Sequence, residues 1–364
     1  MLEKRAPFSS RNPLLLRLAA ASATLVLAGC DTVGYYRQAV VGQLHLLSQR
    51  QAITRVLQNA ELPAVTRTQL QLVLELRQFA SQHLQLDTGQ HYDTYVDLGR
   101  EFVVWNVFAA PEFSLQLHQW CYPVAGCVSY RGYFAEAAAR RQAGQLSAEG
   151  WETYVGGVTA YSTLGWFDDP VLSSMLRRDD MQLAGVLFHE LAHQRVYAAG
   201  DTEFNESFAT LVEQEGQQRW LQQQPEQRRI ALAASLEQTR TRQQQFVALV
   251  QSASAELAAL YAEALPDASR RARKAVLLQS LRQHYAELKQ QWDGYNGYDR
   301  WFDGPLNNAQ LGTVTTYNKW VPAFRWLLQQ CNGDFACFFR EADALAQMDA
   351  ATRLQRLQEL SLAP

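Results

Sequence analysis

The chain has 364 residues, 33 of them basic and 36 acidic, so its charge is almost balanced. No basic stripe runs along it, which argues against nucleic acid as a partner. Its length suits one large domain or two smaller ones, and its apolar runs fall short of a bilayer span.

Residues 1–29 read as an export signal. Lys4, Arg5, Arg11 and Arg17 form a basic start, and Leu14 to Leu27 an apolar stretch. Leu27-Ala28-Gly29-Cys30 resembles the bacterial lipobox, where cleavage precedes the cysteine and its thiol receives diacylglycerol. Cys30 is therefore the expected lipidation site, anchoring a mature chain to the membrane without spanning it. A plain secretory signal with an incidental cysteine is the alternative. Asp31 resembles the inner-membrane retention signal of enterobacterial lipoproteins. The expected location is the periplasmic face of a bacterial cell envelope.

Residues 30–90 are expected to form a helical hairpin. Val40, Val41, Leu44, Leu47 and Ile53 predict a helix from Tyr35 to Asn59, which Pro63 ends. Leu70, Val73, Leu74, Leu76 and Phe79 predict a second, from Val65 to Leu86.

Residues 91–220 read as the core. Tyr95–Leu98 and Phe102–Phe108 are rich in β-branched and aromatic residues, and Pro111 closes the second run. A tight loop follows with Cys121 and Cys127, then a short helix from Phe134 to Gln142 and a strand from Trp151 to Tyr161. Gly156 and Gly157 inside that strand mark close approach of another backbone or a bulge. A helix is expected from Asp180 to Ala199, stopped by Gly200. Asp201 or Thr202 caps the next, which ends near Trp220.

From Gln217 to Trp292 the chain turns rich in Gln, Ala, Arg and Leu, broken at Pro266-Asp267. A stripe through Phe246, Leu249, Leu257, Leu260, Leu277, Leu281, Tyr285 and Leu288 predicts a long antiparallel helical hairpin over residues 221–293. Residues 294–364 are expected to be a loop and then helices packing on the core, with Cys331 and Cys337 among them. Four cysteines allow three connectivities; local pairs Cys121–Cys127 and Cys331–Cys337 are favoured, since a small loop keeps partners close. A metal site and reduced thiols are the alternatives. The fold class is thus α+β and mostly helical, with a small sheet packed on the motif helix described next.

His189-Glu190-Leu191-Ala192-His193 is an HExxH pattern. On a helix, His189 and His193 share one face and can hold one zinc ion. Zinc lowers the pKa of a water toward neutrality. Glu190, offset around the helix, can take that water's proton and pass it to a leaving amine. Catalytic zinc needs a third protein ligand and an open position. Asp201, Glu203, Glu206, Glu213 and Glu215 are candidates. Glu206 is favoured, because Phe204, Phe208 and Leu211 give its helix a stripe to pack antiparallel on the motif helix.

The HExxH pattern with Asn205-Glu206-Ser207-Phe208-Ala209 resembles the gluzincin metallopeptidases, particularly the aminopeptidase N-like group. Ser207 stands where that group has glycine, and its spacing from the histidines is shorter. Together with Tyr161–Pro170 and Tyr317-Asn318-x-x-Val321-Pro322-Ala323-Phe324, the chain is similar to a family of bacterial lipoproteins described as aminopeptidases. The resemblance implies a zincin-like core, one Zn2+ per chain and a peptide or protein substrate. It also implies a Tyr or His downstream of the third ligand that supports the oxyanion, Tyr317 first and His284 second. An upstream edge strand, here carrying Gly156 and Gly157, would bind the substrate backbone. An aminopeptidase further needs a carboxylate for the substrate amine, with Glu136, Glu152, Asp168 and Asp169 as candidates. The Gly-x-Met-Glu-Asn exopeptidase motif is absent, so an endopeptidase stays open. So does a non-catalytic interaction protein with a structural zinc.

Overall fold

The computed structural model describes residues 33–122, 126–160 and 167–362, without the side chains of residues 315–318. Contacts divide it into two compact units, one ending at Ser48 and one running from Gln49 to Pro364. The first contains helix α1, residues 33–48, which leaves Val33, Val40, Val41 and Leu44 exposed. Cys30 and Asp31 lie outside the described residues, as do residues 161–166. No described helix is long and apolar enough to cross a membrane.

The second unit begins with β1 (Gln51–Ala52), α2 (Ile53–Val56), α3 (Ala64–His83), β2 (Thr94–Val96) and β3 (Val104–Ala110). Then come β4 (Trp120–Tyr122), β5 (Gly126–Val128), β6 (Arg131–Tyr133), α4 (Glu136–Ala148), β7 (Glu152–Val158) and β8 (Val171–Leu172). A 3-10 turn, Met175–Arg177, leads into α5 (Asp180–Arg195), α6 (Thr202–Gln222), α7 (Glu226–Ala262) and α8 (Asp267–Gln291). The tail is α9 (Asp299–Phe302), α10 (Asn308–Asn318), α11 (Val321–Gln330), α12 (Phe335–Ala346) and α13 (Ala350–Ser361). The protein is therefore mostly helical with small sheets.

The helix expected from Tyr35 to Asn59 stops at residue 48. Its continuation is drawn into β1, which pairs antiparallel with β2, and the Ile53 N–H donates to the Asp93 carbonyl at 2.9 Å. Tertiary pairing overrides helical period there. Strand β2 also pairs in parallel with β8.

The larger sheet has the order β6-β3-β7, all antiparallel. Its central strand β3 is apolar on both faces because both are covered. Phe108 and Ala110 pack with Ala309 of α10. The alternate residues Val107 and Ala109 are fully buried on the other face, and α4 packs on the sheet as well. The expectation of a sheet laid on the motif helix differs from what is seen: α5 lies mainly among α3, α6 and α7. It carries buried apolar residues all round, including Met181, Leu187, Phe188 and Leu191, so one sheet face could not cover it. Burying Phe188 alone contributes about 2–3 kcal/mol.

Helices α7 and α8 pair along the predicted stripe, broken at Pro266. Pro225 stops α6 from running into α7, so the hairpin starts later than the composition shift at Gln217. Cys121 bonds Cys127 across the β4–β5 hairpin, and Cys331 bonds Cys337 between α11 and α12.

Candidate metal centre

Helix α5 is started by Asp179, whose carboxylate accepts from the Gln182 N–H at 2.8 Å. It ends at Arg195, four residues before its predicted end, because the chain goes extended at Val196. Arg195 is exposed and its guanidinium lies 5.3 Å from the ring centre of Phe339. A polar residue is therefore accommodated there at no cost in burial. Gly200, at φ +79°, closes the turn in the left-handed region, and Asp201 caps α6 by accepting from the Phe204 N–H at 3.0 Å.

That turn is held from within. Asn205 is buried and makes two bonds to one residue: its side-chain oxygen accepts from the Ala198 N–H at 2.7 Å, and its amide donates to the Ala198 carbonyl at 2.8 Å. The asparagine before Glu206 thus fixes how α6 returns along α5. Gly126 presses on the same turn; a Cβ on it would come within 2.5 Å of the Gly200 nitrogen. Ser207, the departure from the resembled glycine, is fully buried and its oxygen accepts from the Trp320 N–H at 3.1 Å. The hydroxyl ties α6 to the start of α11.

Two glycines let α5 and α6 approach closely. A Cβ on Gly185 would lie 2.4 Å from the Gln217 amide and 2.9 Å from Glu213; one on Gly216 would strike Phe188 and Leu84. The result brings His189, His193 and Glu206 together, with one ligand atom from each inside a 4.8 Å span. His189 Nε2 lies 3.3 Å and His193 Nε2 3.8 Å from Glu206 Oε2. Ligands tetrahedrally placed at zinc bond lengths stand about 3.4 Å apart, so the spacing fits such an ion. Among the described residues no fourth donor joins this group.

The five carboxylates weighed as third ligand are sorted by the fold. Glu206 joins the histidines. Glu213 stands behind His189, with Oε2 3.2 Å from Nδ1. That contact leaves Nε2 as the ring nitrogen facing Glu206. Asp201 caps α6 and accepts from Arg353 at 2.8 Å. Glu203 accepts from Lys319 at 2.6 Å, and Glu215 from Arg219 at 3.0 Å.

Electrostatics follow from this crowding. Burial would lower the His189 imidazole, but the hydrogen bonds and charges of Glu206 and Glu213 outweigh it and hold it well above its ordinary value. Burial would raise Glu206, yet the His189 bond and both imidazoles draw it below the usual carboxylate range. His193 is pushed down to about 4 by burial, against the pull of Glu206, so it is neutral and fit to bind a metal. Burial pushes the Glu190 carboxyl up to about 7; His189 and Arg178 oppose this, while Glu206 and Asp169 add to it. Glu190, Glu206, Glu213 and Asp169 outnumber the cations Arg178 and protonated His189, and a divalent ion would balance the excess.

Several of these groups escape a sequence reading. Arg178 donates to the Thr159 hydroxyl at 2.6 Å, just past β7, and feels Glu213 and Glu190. Tyr197 feels the Glu206 charge. Tyr92 feels Glu190 and Asp169. None belongs to a motif; only their neighbourhood in space marks them.

The weaker candidates separate. Gly156 and Gly157 pair with Asn106 and Trp105 on β3, and among the described residues the outer edge of β7 has no strand partner. A Cβ on Gly157 would lie 2.4 Å from the Phe102 ring, so packing alone requires a glycine there. Tyr317 lies in α10, which packs on α6; its side chain is outside the described residues. His284 is exposed on α8. Glu136 is bound by Arg140, Glu152 by Lys274 and the Asn308 N–H, and Asp168 is exposed. Asp169 is buried, and its charge reaches Glu190.

A family model described as "Putative aminopeptidase" matches residues 34–357. No curated protein and no solved structure matches the chain.

Proposed function

The chain belongs to this aminopeptidase family, and from that premise we propose that it is a peptidase whose activity depends on zinc held by His189, His193 and Glu206 in a zincin-like core. The observation that carries the reading is the convergence of those three ligand atoms beside Glu190, with no fourth described donor to close the coordination sphere. When bound, zinc supplies a Lewis acid that polarises a carbonyl and makes a water acidic. Glu190 takes the proton of the attacking water and delivers it to the leaving amine. A carboxyl near 7 can do both at neutral pH. Glu213 holds the His189 ring in its ligand orientation. Tyr317 is assigned to the oxyanion, and the outer edge of β7, which has no strand partner among the described residues, to the substrate backbone with Gly156 and Gly157.

The deciding experiment is Glu190→Gln. Zinc content should stay at about one per chain, as a three-ligand site implies. Cleavage of a peptide library should fall by about 100- to 10,000-fold. Undiminished cleavage in that variant would sink the mechanism. Free against N-terminally blocked peptides then separates the aminopeptidase from an endopeptidase.

A further inference from the structure

The glutamine-rich stretch that forms α7 takes no part in the metal centre. Along that helix Arg240, Gln244, Val247 and Gln251 recur at i, i+4, i+7 and i+11, so they face one side. Helix α6 packs against both α7 and α11; it contributes Gln214 and Gln218, and α11 contributes Arg325. Together these three helices line a groove of about 600 Å³. Its walls are mostly amide and guanidinium groups, with Val247 and Ala248 as the apolar residues.

Two cations meet in this groove. Gln214 holds both: its backbone carbonyl accepts from Arg240 Nη2 at 2.8 Å, and its side-chain oxygen accepts from Arg325 Nη2 at 2.6 Å. Arg240 Nη1 donates to the Gln218 side chain at 3.4 Å. Among the described residues these acceptors are all neutral. The carboxylates nearest along α6 are engaged elsewhere, Glu213 with His189 at 3.2 Å and Glu215 with Arg219 at 3.0 Å.

Such a pair is costly as it stands. Arg240 is half-buried, and its Nε is buried with no hydrogen-bond partner among the described residues. Burial, and after it the Arg325 charge, hold its guanidinium below the ordinary value, against the pull of Glu237, Glu213 and Glu215. Charges taken out of water are normally paired. Here one is set beside a like charge instead. Arg325 is exposed, and one bond to Gln214 leaves most of its five donors open to the groove. An oxyanion meets a guanidinium fork through two parallel hydrogen bonds, and between two forks it would offset their repulsion. The groove lies within the size range of small-molecule sites, about 300–1,000 Å³. It therefore has room for whatever molecule carries the anion, and the glutamine amides suit that molecule's polar groups.

We propose that this groove is a second binding site, which takes a small polar molecule through its carboxylate or phosphate group between Arg240 and Arg325.

Calorimetric titration of zinc-loaded Glu190→Gln protein, which should not consume peptides, tests this with three probes. They are an N-acetylated dipeptide with a free C-terminal carboxylate, the C-terminal amide of that dipeptide, and inorganic phosphate. The acid or the phosphate should bind saturably and the amide should not; which anion binds identifies the source. Adding Arg325→Gln should weaken binding by about 10- to 100-fold, as for loss of a hydrogen bond to a charged group. Arg325→Lys keeps the charge and loses the fork, so its affinity should fall between the two. Both variants should keep their zinc, and the anion should raise the melting temperature of the protein that retains Arg325 and not that of Arg325→Gln. If Arg325→Gln melts early, Arg325→Lys carries the comparison. No saturable anion binding, equal binding of the amide, or an affinity that these substitutions leave unchanged overturns the proposal. So does binding that vanishes when zinc is removed from protein with both arginines intact, since the anion would then sit at the metal centre. Zinc content and Glu190 dependence are read separately, so failure here leaves the peptidase reading standing, and a protein that cleaves nothing can still show the anion site.

Discussion

His189 shows how far a single side chain is specified by its neighbours. One nitrogen faces Glu206 at 3.3 Å and the other faces Glu213 at 3.2 Å. Only the first carboxylate is in ligand position. In the proposed zinc site the second would orient the ring and strengthen the imidazole as a ligand. Glu213→Ala is therefore expected to leave the fold intact and weaken zinc binding by about 10- to 100-fold, measured by competition with a chelating dye. Unchanged affinity would show that the contact does not orient the ring. At this scale the sequence was readable where chemistry has fixed spacing. His189, Glu190 and His193 share a motif, and Glu206 stands out by the stripe beside it. Glu213 was visible only as one of five carboxylates, because a role behind a ligand leaves no spacing of its own. Arg178 left no signal: it lies just ahead of the motif helix, with no spacing that marks it.

Between elements, the decisive contact is α5 on α6. Their approach depends on residues without side chains, Gly185 and Gly216, and on the Asn205 clamp that turns the chain. Gly185→Ala would gain some helix propensity. It must also displace Gln217, whose amide donates to the Met181 carbonyl at 2.8 Å, and push on Glu213. We expect net destabilisation of about 1–3 kcal/mol, in the range of overpacking, together with weaker zinc binding. Denaturant melts with and without zinc measure both, and a variant as stable as wild type would contradict the close approach. Most helices here could be read from period and breakers: α3, α6, α7 and α8 follow their apolar stripes, and Pro225 and Pro266 mark the stops. Period failed where partners intervene. The helix after residue 48 gives way to β1 because β2 offers its edge. The motif helix ends at Arg195 because the return path, set by Asn205, needs extended chain at Val196.

For the whole molecule, two disulfides suit an oxidising compartment. We propose attachment through lipid on Cys30 at the periplasmic face, with Asp31 favouring the inner membrane. Cys30→Ala should then shift the protein from the membrane fraction to the soluble fraction on cell fractionation, while leaving zinc content and peptide cleavage of the purified protein unchanged. A variant that still sediments with membranes would rule the anchor out. The long α7–α8 helices were legible in outline, because composition shifts and prolines are coarse signals. The way the sheet meets the core was not, since burial of β3 on both faces leaves its partners unspecified.

The clamp formed by Asn205 on Ala198 has one more implication. Every group proposed to hold the ion comes from a single continuous stretch between Asp179 and Glu213, and so does Glu190. On the proposed reading, metal capture and proton handling are thus written into one short segment, so a single local rearrangement there would abolish both together.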